Sequence, residues 1–236
     1  MTSPISHSPD EAAPLRGLPV VRLKPKAEAR AIRHGFPWVY ADELVTDRRT
    51  QSLVPGALAV LEDGERRPLG LVTVNTKSKI ICRMLDRDPA AVIDQAWFAA
   101  RLTRALALRA RLFDAPFYRL VHAEADLLPG IVIDRFGDVA VIQPNAAWAE
   151  AHLADLTAAL IAVTGVSTVV KNATGRARGL EGLNEETLVL AGAGPRGDRA
   201  GGDAAPMGKR ARQCAGLGRA AGAGAGDDDH RGAAAG

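Results

Sequence analysis

The chain has 236 residues, 47% of them hydrophobic and 24% charged, and its 30 Lys and Arg against 27 Asp and Glu leave a net charge of +3. That length admits one large domain or two small ones, each able to bury a core. No apolar run reaches membrane-spanning length, and the first 18 residues lack the charged-then-apolar pattern of a secretory signal, so a cytoplasmic protein is expected.

Taken in order, residues 1–18 carry several prolines and no hydrophobic period, and are read as a disordered arm. Residues 19–88 contain short β-rich runs at 20–23, 57–61, 69–75 and 80–85, a short helical stretch at 27–33, and a hairpin turn at Glu62-Asp63-Gly64-Glu65. Short strands at this density predict a barrel-like β module. Residues 89–190 open with a helix that Asp94 is placed to cap. Phe98, Leu102, Ala105 and Leu106 recur on one face, Arg101, Arg104 and Arg111 on another, and Pro116 ends it. Two β-branched runs, 131–133 and 139–142, flank a polar stretch at 134–138 whose Gly137 can take a positive φ, which reads as a hairpin with a longer loop. Leu153, Leu156 and Leu160 form a helical stripe, with Asn145 near its start and Gly165 just past its end. Runs at 166–170 and 187–190 read as two more strands, so the fold class is α+β: a β pseudo-barrel, then helix, hairpin, helix and two strands.

After residue 190 the composition changes. Ala and Gly make up 27 of the last 46 residues, with no Val, Ile, Phe, Tyr or Trp among them. Such a stretch cannot offset about 1–2 kcal/mol of backbone entropy per residue, and residues 191–236 are predicted to be a disordered tail. Gly192-Ala193-Gly194-Pro195-Arg196-Gly197 matches a dinucleotide-binding spacing after a strand. The motif needs a helix after its third Gly, and Gly201, Gly202 and Pro206 oppose one, so coincidence in a Gly-rich tail is the reading.

Charge is unevenly spread. Residues 19–88 hold 13 basic and 9 acidic residues (+4), whereas residues 89–190 hold 9 and 11 (−2). The basic excess marks the first module as the place to seek an RNA partner. Lys24, Lys26, Arg30, Arg33 and His34, followed by Trp38 and Tyr40, interleave cations with aromatic rings as a single-stranded RNA surface does, and Lys77, Lys79 and Arg83 would join them if the strands are adjacent. On the residues alone, solvated cations around a core Trp38 remain an equal alternative. His122, Glu124 and Asp126 alternate, which on an extended segment would aim three potential metal ligands to one side. The competing and favoured reading is a hydrogen-bonded loop that positions the hairpin, with no metal. Cys82 and Cys214 are too few and too far apart for a metal framework, and are not expected to pair.

Residues 118–138, Tyr-Arg-Leu-Val-His-Ala-Glu-Ala-Asp-Leu-Leu-Pro-Gly-Ile-Val-Ile-Asp-Arg-Phe-Gly-Asp, carry a resemblance. They are similar to the segment joining the two halves of PUA-containing, S-adenosylmethionine-dependent methyltransferases that modify cytosine C5 in large-subunit ribosomal RNA. Ala123 replaces the usual Gly of that pattern, and Leu127 stands where Gly is common. Gly35-Phe36-Pro37-Trp38-Val39-Tyr40 resembles the family's Gly-x-Pro-Trp-Val-aromatic motif, and Leu69-Gly70-Leu71-Val72 its later strands, with Val72 where a second Gly is frequent. Arg178-Gly179-Leu180-Glu181-Gly182-Leu183 resembles its Arg-x-x-Glu-Gly-Leu ending.

The resemblance covers residues 19–190 and implies a PUA domain at 19–88 that binds RNA, ribosomal RNA in particular, and a linker domain at 89–190. It also implies a Rossmann-like domain from about residue 191, holding S-adenosylmethionine and the thiol that adds to cytosine C6. Nothing in residues 191–236 reads as that domain, and Cys82 lies on a predicted strand away from any cofactor loop. The expectation is therefore an RNA-recognition part without catalytic, cofactor-binding or metal residues of its own, followed by a tail arising from a reading-frame shift. A stand-alone RNA-binding or ribosome-assembly module is the alternative.

Overall fold

Along the first strands, apolar side chains face inward and the sheet curls until its edges meet. The computed structural model describes residues 17–192. Their first half contains β1 (Val20–Arg22), α1 (Ala29–Arg33), β2 (Trp38–Tyr40), α2 (Arg48–Gln51), β3 (Ala57–Glu62), β4 (Pro68–Val74) and β5 (Ile80–Asp86). The strands lie in the order β1-β3-β4-β5-β2, with β1 parallel to β3 and the other pairs antiparallel. A bridge between Leu23 and Leu44, just past the two edge strands, closes the curl. Val21, Leu23, Val39, Leu61, Val72, Val74 and Cys82 fill the interior. Val72 is thus an ordinary inward-facing strand residue. Gly70 differs: at φ +147° it passes so close to β5 that a Cβ would collide with the Asp86 carbonyl oxygen.

Period-2 alternation sends Leu71 of β4 and Leu85 of β5 outward, into a second core. That core belongs to the second half: α3 (Gln95–Ala110), β6 (Phe117–His122), a 3₁₀ turn (Ala123–Asp126), β7 (Ile131–Phe136), β8 (Val139–Pro144), α4 (Ala147–Ala151), α5 (Leu153–Thr164), β9 (Thr168–Lys171), α6 (Arg176–Glu181) and β10 (Leu188–Ala191). Their sheet runs β10-β9-β8-β7-β6; β8 and β9 are parallel, joined through α4 and α5, and the other pairs are antiparallel. At the centre Trp148 stacks on Phe98 with ring centroids 6.0 Å apart and meets Trp97 edge-on at 6.1 Å. Its indole N–H, otherwise a buried orphan, donates to the Pro129 carbonyl at 2.9 Å.

Asp94 caps α3 as the sequence predicts, accepting from the Trp97 N–H at 2.8 Å, and Gly165 ends α5 at φ +68°. Other elements differ from the expectation. β2, α2, β6, α4 and α6 were not among the predicted elements, and α3 stops at Ala110, well before Pro116. Asn145 does not cap α5, because the separate helix α4 intervenes. The central hairpin is tight: Phe136 pairs with Val139, leaving only Gly137 (φ +63°) and Asp138 in the turn. Polar residues expected in a loop sit inside strands because they have partners. Asp134 on β7 accepts from Arg119, opposite it on β6, at 2.8 and 3.2 Å, and the Arg135 Nε donates to the Gly137 carbonyl at 3.1 Å. Of the predicted arm, Gly17 and Leu18 are described and Leu18 packs on the second core; of the predicted tail, Ala191 instead ends β10, where it pairs with Val169, and Gly192 follows it; the rest of both, with the remainder of the Gly-rich motif and Cys214, lies outside the described residues.

Candidate nucleic-acid interface

The ten residues put forward as an RNA surface fall into two groups once the chain is folded. Lys24, Lys26, Arg30, His34, Lys77 and Lys79 are exposed, and their side chains form no ion pair among the described residues. Arg33 instead pairs with Asp63, and Arg83 with Glu124 at 3.1 Å and Glu181 at 3.2 Å.

Register creates the second group. Trp38 on β2 lies opposite Arg83 on β5. The Trp38 indole N–H donates to Glu124 Oε1 at 2.9 Å, and Arg83 donates to the same oxygen. Arg83 also reaches Glu181, whose other carboxylate oxygen accepts from the Asn75 side-chain amide at 2.6 Å. One guanidinium thus bridges two carboxylates that belong to the second half of the chain, while the indole and the amide complete their hydrogen bonds. This network ties the barrel to the 3₁₀ turn and to α6.

The turn that presents Glu124 is strained. Ala123 and Leu127, the two positions where the resembling family prefers Gly, have φ +47° and +59°. Asp126 holds the turn from inside, accepting both Arg109 guanidinium nitrogens at 2.8 and 2.6 Å and the His122 N–H at 2.7 Å. Glu124 and Asp126 therefore face different partners, and the alternation that suggested metal ligands sits on a 3₁₀ turn and not on an extended strand. Among the described residues no group of three or more His, Cys, Asp or Glu is placed to hold a metal ion.

The Arg178-to-Leu183 motif becomes α6 and its cap, Gly182 at φ +76°. Arg178 is fully buried and donates to the Asn184 carbonyl at 2.9 and 2.7 Å and to Glu150 at 3.0 Å. Glu150 also accepts from the buried Lys171 at 2.6 Å. Burial works to raise the Glu150 pKa, but the hydrogen bonds and charges of Lys171 and Arg178 more than offset it and hold it below the usual range. Cys82 is fully buried, and desolvation pushes its thiol up to about 12, the opposite of what a nucleophile needs.

Outside the network, the edge strand keeps a usable surface. Tyr40 is 38% exposed and Phe36, which is not among the ten, is 42% exposed. Their ring centroids are 6.5 Å apart, and Phe36 meets Trp38 edge-on at 6.1 Å. The i, i+2, i+4 spacing of Phe36, Trp38 and Tyr40 was the available signal. Backbone hydrogen bonds link the segments that carry these residues: Ala41 N–H donates to the Lys79 carbonyl at 3.0 Å, Glu43 N–H to that of Tyr40 at 3.0 Å, and Lys24 N–H to that of Glu43 at 2.8 Å. Tyr40, Asp42, Glu43 and Lys79 line an open depression there.

A family model for a PUA-like domain matches residues 21–87. A ribosomal RNA large subunit methyltransferase from Deinococcus radiodurans is 38% identical over 146 residues, which are 58% of this chain and 35% of that protein. Ribosomal RNA large subunit methyltransferase I from Alteromonas mediterranea is 33% identical over 178 residues, 74% of this chain and 44% of that protein. A Streptococcus mutans structure assigned as a SAM-dependent methyltransferase superposes with a TM-score of 0.61 at 14% identity, covering 75% of this chain and 44% of its own, a likeness of fold. The chain spans about two fifths of the length of these relatives. It carries a PUA-like domain and is homologous, over as much as 74% of its length, to ribosomal RNA large subunit methyltransferases.

Proposed function

We propose that this chain is the RNA-recognising part of a SAM-dependent ribosomal RNA (cytosine-C5) methyltransferase, with residues 19–88 as the RNA-binding domain and residues 89–190 as the domain that joins it to the catalytic machinery. The observation that carries the proposal is a set of exposed cations with no ion pair among the described residues, Lys24 and Lys79 among them, on the same PUA-like barrel as the exposed rings of Phe36 and Tyr40, in a chain homologous to ribosomal RNA methyltransferases. Free cations beside aromatic rings neutralise phosphates and stack bases.

S-adenosylmethionine, the methyl donor of this reading, does not fit the small cavity where the barrel meets α6. The space beneath Arg83 and Glu181 measures about 10 Å³, room for one water. Methyl transfer is assigned to the parts of the relatives that this chain, at about two fifths of their length, does not span. No helix among the described residues is long and apolar enough to cross a membrane.

The test is a gel-shift series of the purified chain on large-subunit ribosomal RNA fragments at two salt concentrations. Binding is expected at about 10⁻⁴ to 10⁻⁶ M near physiological salt, weakening steeply as salt rises. Incubation with labelled S-adenosylmethionine and the same RNA should transfer no methyl group. Salt-independent binding, no binding, or methyl transfer would each overturn the proposal.

A further inference from the structure

Resting on the RNA-binding reading, we infer that the outer edge of β2 takes unpaired nucleotides, whose bases stack on Phe36 and Tyr40, and that duplex RNA is not its ligand. Phe36, two residues before the edge strand, and Tyr40 at its end are both exposed, with ring centroids 6.5 Å apart. The third ring, Trp38, is anchored by Glu124 and braces Phe36 edge-on. A ledge held in place before the ligand arrives loses little side-chain freedom on binding.

Chemistry around the ledge separates single strands from duplexes. In an A-form helix the base faces already stack on one another, so exposed rings gain nothing there, whereas an unpaired base brings a free face. Lys79 lines the same depression as Tyr40, and Lys24 is joined through its backbone N–H to Glu43 of that depression; both suit the phosphates of a strand laid along the edge. Asp42 lines the depression beside Tyr40. A carboxylate there repels phosphate and accepts from an exocyclic base amine, which turns a base, and not the backbone, toward the depression. Phe113, another exposed ring, is already stacked on Tyr118 with centroids 5.3 Å apart.

The experiment compares a short single-stranded RNA with the same sequence closed into a hairpin stem, by fluorescence anisotropy at low salt. Single-stranded RNA should bind more tightly. Phe36→Ala and Tyr40→Ala should each weaken it about tenfold while leaving the stem unchanged. Tyr40→Leu, which keeps bulk without a π face, should fall with Tyr40→Ala, and Tyr40→Phe should keep wild-type affinity. A bound single strand should also quench tryptophan emission through Trp38, and Trp38→Phe should abolish the change, because Trp97 and Trp148 are buried. A stem bound as tightly as the single strand, or full affinity in Tyr40→Leu, would overturn the stacking inference and leave the RNA-binding reading standing. Absence of binding to either RNA would overturn both.

Discussion

At the junction of the two sheets, Trp38 and Arg83 are held by Glu124 and Glu181; two residues along the same strand, Tyr40 stands open over a depression that Lys79 also lines. Residue type is nearly the same in the two places, a ring with cations. Their tasks diverge because pairing register puts Trp38 opposite Arg83 and within reach of carboxylates from the second half, while Tyr40 faces solvent. An aromatic-plus-basic pattern therefore mixes residues that build the fold with residues left free to bind.

The largest effect that would break this comparison is at the junction. Arg83→Met leaves Glu124 and Glu181, with side chains 20% and 5% exposed, without their shared cation, and should lower stability by about 3 kcal/mol in urea unfolding. RNA affinity of the folded variant should stay unchanged; lost affinity at wild-type stability would reverse the assignment.

Acid should loosen the fold through three buried or half-buried carboxylates. Burial works to raise the pKa of Asp63, Asp86 and Glu150, yet their hydrogen bonds and cations hold all three below their ordinary values of 3.8, 3.8 and 4.5. Groups depressed in the folded state contribute fully above the unfolded pKa and lose that contribution as pH falls through the folded one. The melting temperature should thus be insensitive to these groups above about pH 5 and decline as pH drops below 4.5 and 3.8. No decline in that window would contradict the pairing.

Relieving strain in the turn between the two regions should have a smaller effect, of opposite sign. Leu127 at φ +59° is 44% exposed, so Leu127→Gly removes a left-handed penalty while sacrificing little burial, and should stabilise by about 1 kcal/mol in chemical denaturation. Ala123→Gly, at φ +47°, should act in the same direction.

Smallest in stability and most telling for function are the free cations. Lys24→Ala and Lys79→Ala should each change stability by no more than about 0.5 kcal/mol. Each should lower the slope of log affinity against log salt by roughly 0.7. A stability loss comparable with that of Arg83→Met would place these lysines in the fold and not at its binding edge.

Elements with enough local signal were legible from residues alone. The β-rich apolar runs of β3, β4 and β5 between turn residues, the Asp94 cap of α3 and the Gly165 end of α5 follow from local composition and cap chemistry. β2 spans only Trp38–Tyr40, too short for a period to emerge, and it exists because β5 offers an edge. β6 carries Arg119 and His122, polar residues whose place in a strand depends on Asp134 and on the turn that follows. α6 contains Gly179, a poor helix former, and is held by the buried Arg178.

Sequence by itself determined the closed β module, the leading and following helices of the second half, and the set of cations and rings from which a nucleic-acid surface would be drawn. Tertiary structure alone decided which of them remain available. That choice depends on partners distant along the chain, 86 residues away for Trp38 and Glu124 and 98 for Arg83 and Glu181, and no local pattern encodes hydrogen bonds formed only when two sheets meet.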